Sequence, residues 1–281
     1  MLDTVGRATL AFMARYRVAT RPALAALVTD SAGRDRSLRS LLEARLVCTN
    51  RSLAGQRSFY QLTRQGASQL GVRAALARRV GSQALAKHLG VLCLCMEGHG
   101  ERVRLLEEET CSVLGTQAPE GVHVLAPESG QLRMLWCYVP GNATSVESMI
   151  RRLRRHTLAI CGDPILKRWV EDRRYGLAVV VSSDVRKRAV ERALRTRDRR
   201  GHPPIAKLIA VWVYVPESFA TVIGVTIAHP NRQAGPLPKN LWEAEQPSTI
   251  AKRGRKRREA DVQPVNTNKP TRQRQAGGGS A

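Results

Sequence analysis

The chain has 281 residues and a formal net charge of +23, room for two modest domains and a charge that calls for a polyanionic partner, nucleic acid or an anionic membrane surface. No apolar run is long enough to cross a bilayer, and the start, Met1-Leu2-Asp3-Thr4, has no basic segment leading into an apolar core, so a cytoplasmic protein without a secretory signal is expected. Only 4 % of residues are aromatic, which disfavours single-stranded RNA, usually held by stacking.

The charge is uneven. Residues 1–80 carry 14 Arg and 4 acids, residues 81–250 carry 23 basic and 17 acidic residues, and residues 251–281 carry 9 basic and 2 acidic residues. Both ends are therefore strongly basic and the middle is nearly balanced. The six cysteines, Cys48, Cys93, Cys95, Cys111, Cys137 and Cys161, are scattered through apolar runs without C-x-x-C pairs; buried, reduced thiols are expected, and no metal site.

In chain order, residues 5–16 place Leu10, Met13 and Ala14 at helical spacing. Thr20 caps a second helix that begins Arg21-Pro22, with proline in the first turn. Asp30-Ser31-Ala32-Gly33 reads as a turn, and a third helix is expected over residues 34–44, with Leu38, Leu41 and Leu42 inward. A strand over 46–49, a polar loop over 50–58 and a strand over 59–62 follow, and Thr63-Arg64-Gln65-Gly66 opens another helix. Three helices and then a hairpin is the winged helix-turn-helix order. In such a module the third helix enters the major groove, so Arg34, Arg36, Ser37, Arg39 and Ser40 are the expected contacts to bases and phosphates, with Arg51 and Arg57 of the wing reaching the minor groove or flanking phosphates. A solvated basic face on a protein-binding module is the competing reading.

Residues 81–97 predict an apolar helix striped by Leu85, Leu89, Leu92 and Met96, and residues 101–114 a second helical piece. A hairpin over 122–126 and 133–139, a basic helix over 144–160, a helix from Asp163-Pro164 to Trp169, a buried strand over 176–182, a helix capped by Asp184 and a strand over 205–215 then alternate as in an α/β layer with a mixed sheet. Arg151, Arg152, Arg154 and Arg155 on the basic helix suit either phosphate contact or a solvated face. His88 reads as a core or interface residue rather than a ligand.

The middle region has the outline of a restriction-endonuclease-like core, which needs an acid on one strand and acid-x-Lys on the next to hold Mg²⁺. Its second strand reads Met134-Leu135-Trp136-Cys137-Tyr138-Val139, with neither. No P-loop, G-x-G-x-x-G, H-E-x-x-H or catalytic triad pattern occurs, so a non-enzymatic protein without cofactor or metal is expected. Beyond residue 230 the chain is Pro, Gly, Asn and charge, and a disordered basic tail is expected over 231–281. Its run Lys252-Arg253-Gly254-Arg255-Lys256-Arg257-Arg258 suits non-specific phosphate binding; Arg253-Gly254-Arg255 is similar to an AT-hook core but lacks the flanking prolines.

The whole order of parts resembles the replication-relaxation family, proteins of bacterial plasmids and integrative elements. The resemblance lies in residues 10–20 (Leu-Ala-Phe-Met-Ala-Arg-Tyr-Arg-Val-Ala-Thr), in Leu-Leu-Glu-Ala-Arg-Leu-Val entering the wing (41–47) and in Phe-Tyr-Gln-Leu-Thr-Arg-Gln-Gly leaving it (59–66). It covers residues 7–215 loosely, well over the first 70 and poorly afterwards, and where that family often carries acids on the second strand this chain has Trp136-Cys137-Tyr138-Val139. The resemblance implies a double-stranded-DNA-binding protein of a mobile element, acting in replication, conjugative transfer or their regulation; the middle region is expected to serve either self-association, as a homodimer, or a partner such as a relaxase or replication protein. The expected fold class is α+β: a winged helix-turn-helix over 1–80, a helical linker and α/β domain resembling a degenerate restriction-endonuclease-like fold over 81–230, and the tail. Alternatives are a winged-helix transcriptional repressor with an α/β dimerisation domain, and a metal-dependent nuclease with a decayed active site.

Overall fold

Short-range side-chain caps set the boundaries of the first helices in a computed structural model that describes residues 2–50, 53, 58–97, 102–128, 131–197 and 201–217. Helix α1 (Thr4–Tyr16) starts where the Asp3 carboxylate accepts from Gly6 N at 2.6 Å, and ends at Arg17, left-handed at φ 71°. Leu10, Met13 and Ala14 are buried, as their spacing predicts. Strand β1 (Ala19–Thr20) is only two residues long, too short for any periodicity to reveal. Thr20 also caps α2 (Arg21–Leu27), accepting from Ala23 N, with Pro22 in the first turn.

Helix α3 (Ser31–Glu43) starts at Ser31 rather than at residue 34. The reason is Asp30, whose carboxylate accepts from the amides of Ala32 and Gly33; the residues read as a turn are the first helical turn itself. Strands β2 (Val47–Asn50) and β3 (Phe59–Leu62) pair antiparallel, and β1 joins the far side of β3, giving the order β1-β3-β2. Thr63 then ties the hairpin to α4 (Arg64–Leu70). Its hydroxyl donates to the carbonyls of Arg45 and Leu46 at 2.7 and 3.1 Å, and Gly66 N donates to it at 3.1 Å. Gly66 sits against the Leu46 carbonyl with no room for a Cβ, which explains the Leu62-Thr63-x-x-Gly66 run.

A 3₁₀ turn (Ala74–Ala77) leads to α5 (Ser82–Glu97), which is buried on every side from Leu89 to Cys95, as expected of a helix sandwiched between two layers. Strand β4 (Val103–Leu105) and α6 (Glu107–Leu114) replace the single helical piece expected over 101–114. Those three residues pair with β5 (Val122–Glu128), an interaction with a partner too distant in sequence to leave a local signature. After β5 come β6 (Gln131–Tyr138), α7 (Val146–Gly162), α8 (Pro164–Glu171), β7 (Tyr175–Val180), α9 (Asp184–Arg195), α10 (Ile205–Leu208) and β8 (Ala210–Tyr214). The strand expected over 205–215 thus opens with a short helix after Pro204, and Ser183, not Asp184, caps α9.

The five-stranded sheet runs β4-β5-β6-β7-β8, its first two pairings antiparallel and its last two parallel. Strand β7 is buried along its whole length, as its unbroken apolar run predicts. Alternation sorts the side chains of β6: Leu135 and Cys137, with Val139 just after the strand, join a core with α5 and the first four helices, whereas Met134, Trp136 and Tyr138 face α7, α8 and α9. The chain is α+β, and the core around α1–α4 is continuous with one face of the large sheet. Arg15 of α1 reinforces that join, donating from Nη1 and Nη2 to the Glu109 carboxylate at 2.8 and 2.7 Å. Among the described residues, no helix is long and apolar enough to cross a membrane.

Candidate nucleic-acid interface

Helix α3 is amphipathic because Leu38 and Leu41, one turn apart, anchor it against α1 and α2. The opposite side is left to Arg36, Arg39 and Ser40, all exposed. Among the described residues no carboxylate pairs with Arg36 or Arg39. Arg34 differs: its side chain is only 14 % exposed and its Nε donates to Asp35 at 3.1 Å. Arg21, from the first turn of α2, donates to the other Asp35 oxygen at 2.9 Å. Hydrogen bonds from Arg34 and then Arg21 hold the Asp35 carboxyl below its usual range. The one acid in the middle of α3 is thereby engaged by local partners and pairs with neither Arg36 nor Arg39.

Ser37 points the other way. It is 5 % exposed, and its hydroxyl donates to the Asp3 carboxylate at the start of α1 at 3.4 Å. It is a packing residue between α3 and α1, and it lies apart from the exposed group. Helical spacing alone placed it beside Arg36; docking of α1 turned its side inward. Arg51 and Arg57 lie outside the described residues, as do Lys252, Arg253, Arg255, Lys256, Arg257 and Arg258 of the tail. Arg45 and Arg64, both exposed, flank the hairpin in sequence and lie at its open end, where Val47 pairs with Leu62. The left-handed φ of 56° at Arg45 turns the chain from α3 into β2.

In the larger sheet, the three β6 side chains facing α7 are Met134, Trp136 and Tyr138. Beside them His123 of β5, buried to 2 % exposure, shares a hydrogen bond with the Tyr175 hydroxyl at 3.2 Å, and Tyr175 meets His156 Nε2 of α7 at 3.4 Å. Burial pushes His123 down to about 3 and His156 to about 4, with the neighbouring His156 and Arg152 charges adding respectively, so both rings are neutral at pH 7. Among the described residues no three His, Cys, Asp or Glu side chains come together as a metal-ligating group. His88 on α5 faces the Arg104 guanidinium at 3.4 Å, and burial followed by that charge lowers it to about 3. All six cysteines are free; Cys93, Cys95 and Cys137 are buried, but Cys48, on β2, is exposed, against expectation. Burial raises the Cys95 thiol to about 12 and the Cys137 thiol further, so neither is a nucleophile. No family model, curated protein or solved structure matches this chain.

Proposed function

We propose that the α1–α4 region is a winged helix-turn-helix that binds duplex DNA through α3, in a non-enzymatic protein serving replication, conjugative transfer or their regulation on a mobile element. The element order α1-β1-α2-α3-β2-β3 and the sheet order β1-β3-β2 support the winged-helix reading. The observation that carries the DNA reading is on α3: Arg36, Arg39 and Ser40 are exposed together, and the acid beside them, Asp35, is already engaged by Arg34 and Arg21. Guanidinium forks free of carboxylates suit guanine edges and phosphates. Ser37 has no part in this surface, and Arg34 contributes at most to a backbone contact.

The test is binding of the full chain to genomic fragments of the element, followed by footprinting of the bound site. Arg36→Ala with Arg39→Ala removes both exposed forks; the expected loss is about 1–3 kcal/mol per base-reading arginine, with sequence preference relaxed. Unchanged affinity and unchanged preference in that variant would refute the assignment of α3. Protection at a transfer or replication origin supports the mobile-element role, whereas a palindrome before the protein's own gene supports a repressor.

A further inference from the structure

Helix α7 has two unlike sides. Met149, Leu153 and Ile160 are buried against the sheet, whereas Arg151, Arg152 and Arg155 are exposed. Between that basic side and the segment 116–120 that leads into β5 lies an open groove of about 920 Å³, lined by these three arginines with His156, Trp136 and Glu120 among others. Among the described residues no carboxylate pairs with Arg151, Arg152 or Arg155. Asp163 also lines the groove, but its carboxylate is occupied capping α8, accepting from the amides of Ile165 and Leu166 at 2.9 and 3.0 Å.

The groove has a fixed floor. Trp136 is 4 % exposed, its Nε1 donates to the Glu120 carbonyl at 2.9 Å, and its ring stacks on His156 with centroids 3.8 Å apart. Gly121, left-handed at φ 146°, leaves the space that the indole fills. Arg152 lies over the Tyr138 ring at 5.1 Å. Since His156 is neutral at pH 7, the groove's positive charge comes from its three arginines, set against the carboxylates of Glu120 and Asp163 that also line it.

We propose that this groove grips the phosphodiester backbone of one DNA strand, a second contact that rests on the DNA-binding reading of the protein. Planar guanidinium forks match phosphate oxygens in pairs. Arg151 and Arg155 stand one helical turn apart, about 6 Å along the axis, comparable to the step between adjacent phosphates of an extended strand. The groove has the size of a small-ligand site, a volume that matches a few nucleotides of one strand rather than an enclosed duplex. The aromatic floor is preorganised, whereas each exposed arginine is ordered on binding at a cost of about 0.5–1.5 kcal/mol.

The test compares full-length protein binding to a blunt duplex and to the same duplex carrying a single-stranded oligothymidylate extension. The extended probe is expected to bind about tenfold more tightly, and the combined Arg151→Ala, Arg152→Ala and Arg155→Ala variant to lose that advantage while its blunt-duplex affinity is unchanged. Its salt dependence on the extended probe is expected to fall by about 0.7 for each phosphate that no longer has an arginine against it. The corresponding Arg→Lys variant keeps the salt slope and loses part of the affinity, since lysine retains the charge without the fork. An Ala variant that retains the full advantage of the extension overturns the proposal, as does displacement of the extension by thymidine monophosphate at the same concentration as the oligonucleotide, which would make the groove a nucleotide pocket. Should the triple variant melt earlier than the parent, Arg155→Glu alone serves, with the same loss expected. Failure of Arg36→Ala with Arg39→Ala to weaken blunt-duplex binding would remove the α3 reading and leave the groove result standing, so the two readings fail separately.

Discussion

Replacing Gly66 by alanine sets two effects of opposite sign against each other. Helix α4 contains Gly66 in its first turns, and intrinsic helix propensity favours alanine there by about 1 kcal/mol. Against this, a Cβ at Gly66 would stand 2.9 Å from Leu62 Cδ1 and 3.1 Å from the Leu46 carbonyl carbon, and nearer still to that carbonyl's oxygen. The leucine methyl can rotate away; the backbone carbonyl cannot. It already accepts from Thr63 N at 3.0 Å and from the Thr63 hydroxyl at 3.1 Å, and Leu46 N donates to Leu41 O at 2.9 Å. Helix α4 must therefore shift outward, straining a packed contact at about 1–3 kcal/mol and lengthening one or two hydrogen bonds at about 1 kcal/mol each. The net expectation is a loss of about 1–4 kcal/mol, because the steric terms exceed the propensity gain. Urea unfolding followed by far-ultraviolet circular dichroism measures it. Gly162→Ala at the end of α7 is the matched control, since nothing lies within 4 Å of the added methyl; that change is expected to be neutral or to stabilise by up to about 1 kcal/mol. A Gly66→Ala protein as stable as the parent would refute the account of the Thr63–Gly66 joint.

Arg15 and Glu109 join α1 to α6 by a two-point ion pair whose side chains are 15 % and 33 % exposed; a double-mutant cycle with alanine at both positions is expected to give a coupling of about 1–2 kcal/mol, and a coupling near zero removes this pair from what holds the two regions together. His123 has a folded pKa of about 3, below its unfolded value, so the unfolded state binds the extra proton between those values. Its contribution is complete above pH 6.5 and is lost as pH falls toward 3, at a slope of about 1.4 kcal/mol per pH unit. His123→Leu is expected to flatten the acid limb of the stability curve by about one proton, and an unchanged limb would mean that His123 titrates normally. Deleting residues 251–281, which carry 9 basic and 2 acidic residues, is expected to lower the salt slope of DNA binding by about 0.9 for each phosphate the tail had neutralised without changing site preference; an unaltered slope would show that the tail does not touch DNA.

What could be read from the amino-acid order was whatever is settled between residues a few positions apart. Thr20 and Asp163 cap the helices expected of them, Thr63 with Gly66 starts α4, and the unbroken apolar run of β7 is buried on both faces. Each depends on a hydrogen bond from residue i to its near neighbours, or on a side-chain period that a short segment already displays. Where such signals competed, the cap won: Asp30 started α3 at Ser31. Pairing across distance was another matter. Strands β1 and β4 span two and three residues, too few to show alternation, and exist because β3 and β5 offer them open edges. The same holds for the surfaces that matter to function. Periodicity put Ser37 with Arg36 and Arg39, yet Asp3, 34 positions away, turns it inward. Trp136 and His156 meet only because β6 and α7 close on each other, which makes a groove floor beneath arginines that the linear order showed merely as a charged helix. Caps and periods are local terms in the energy, whereas strand edges, inward faces and grooves are fixed by which surfaces exclude water together, and that is decided by the packed whole.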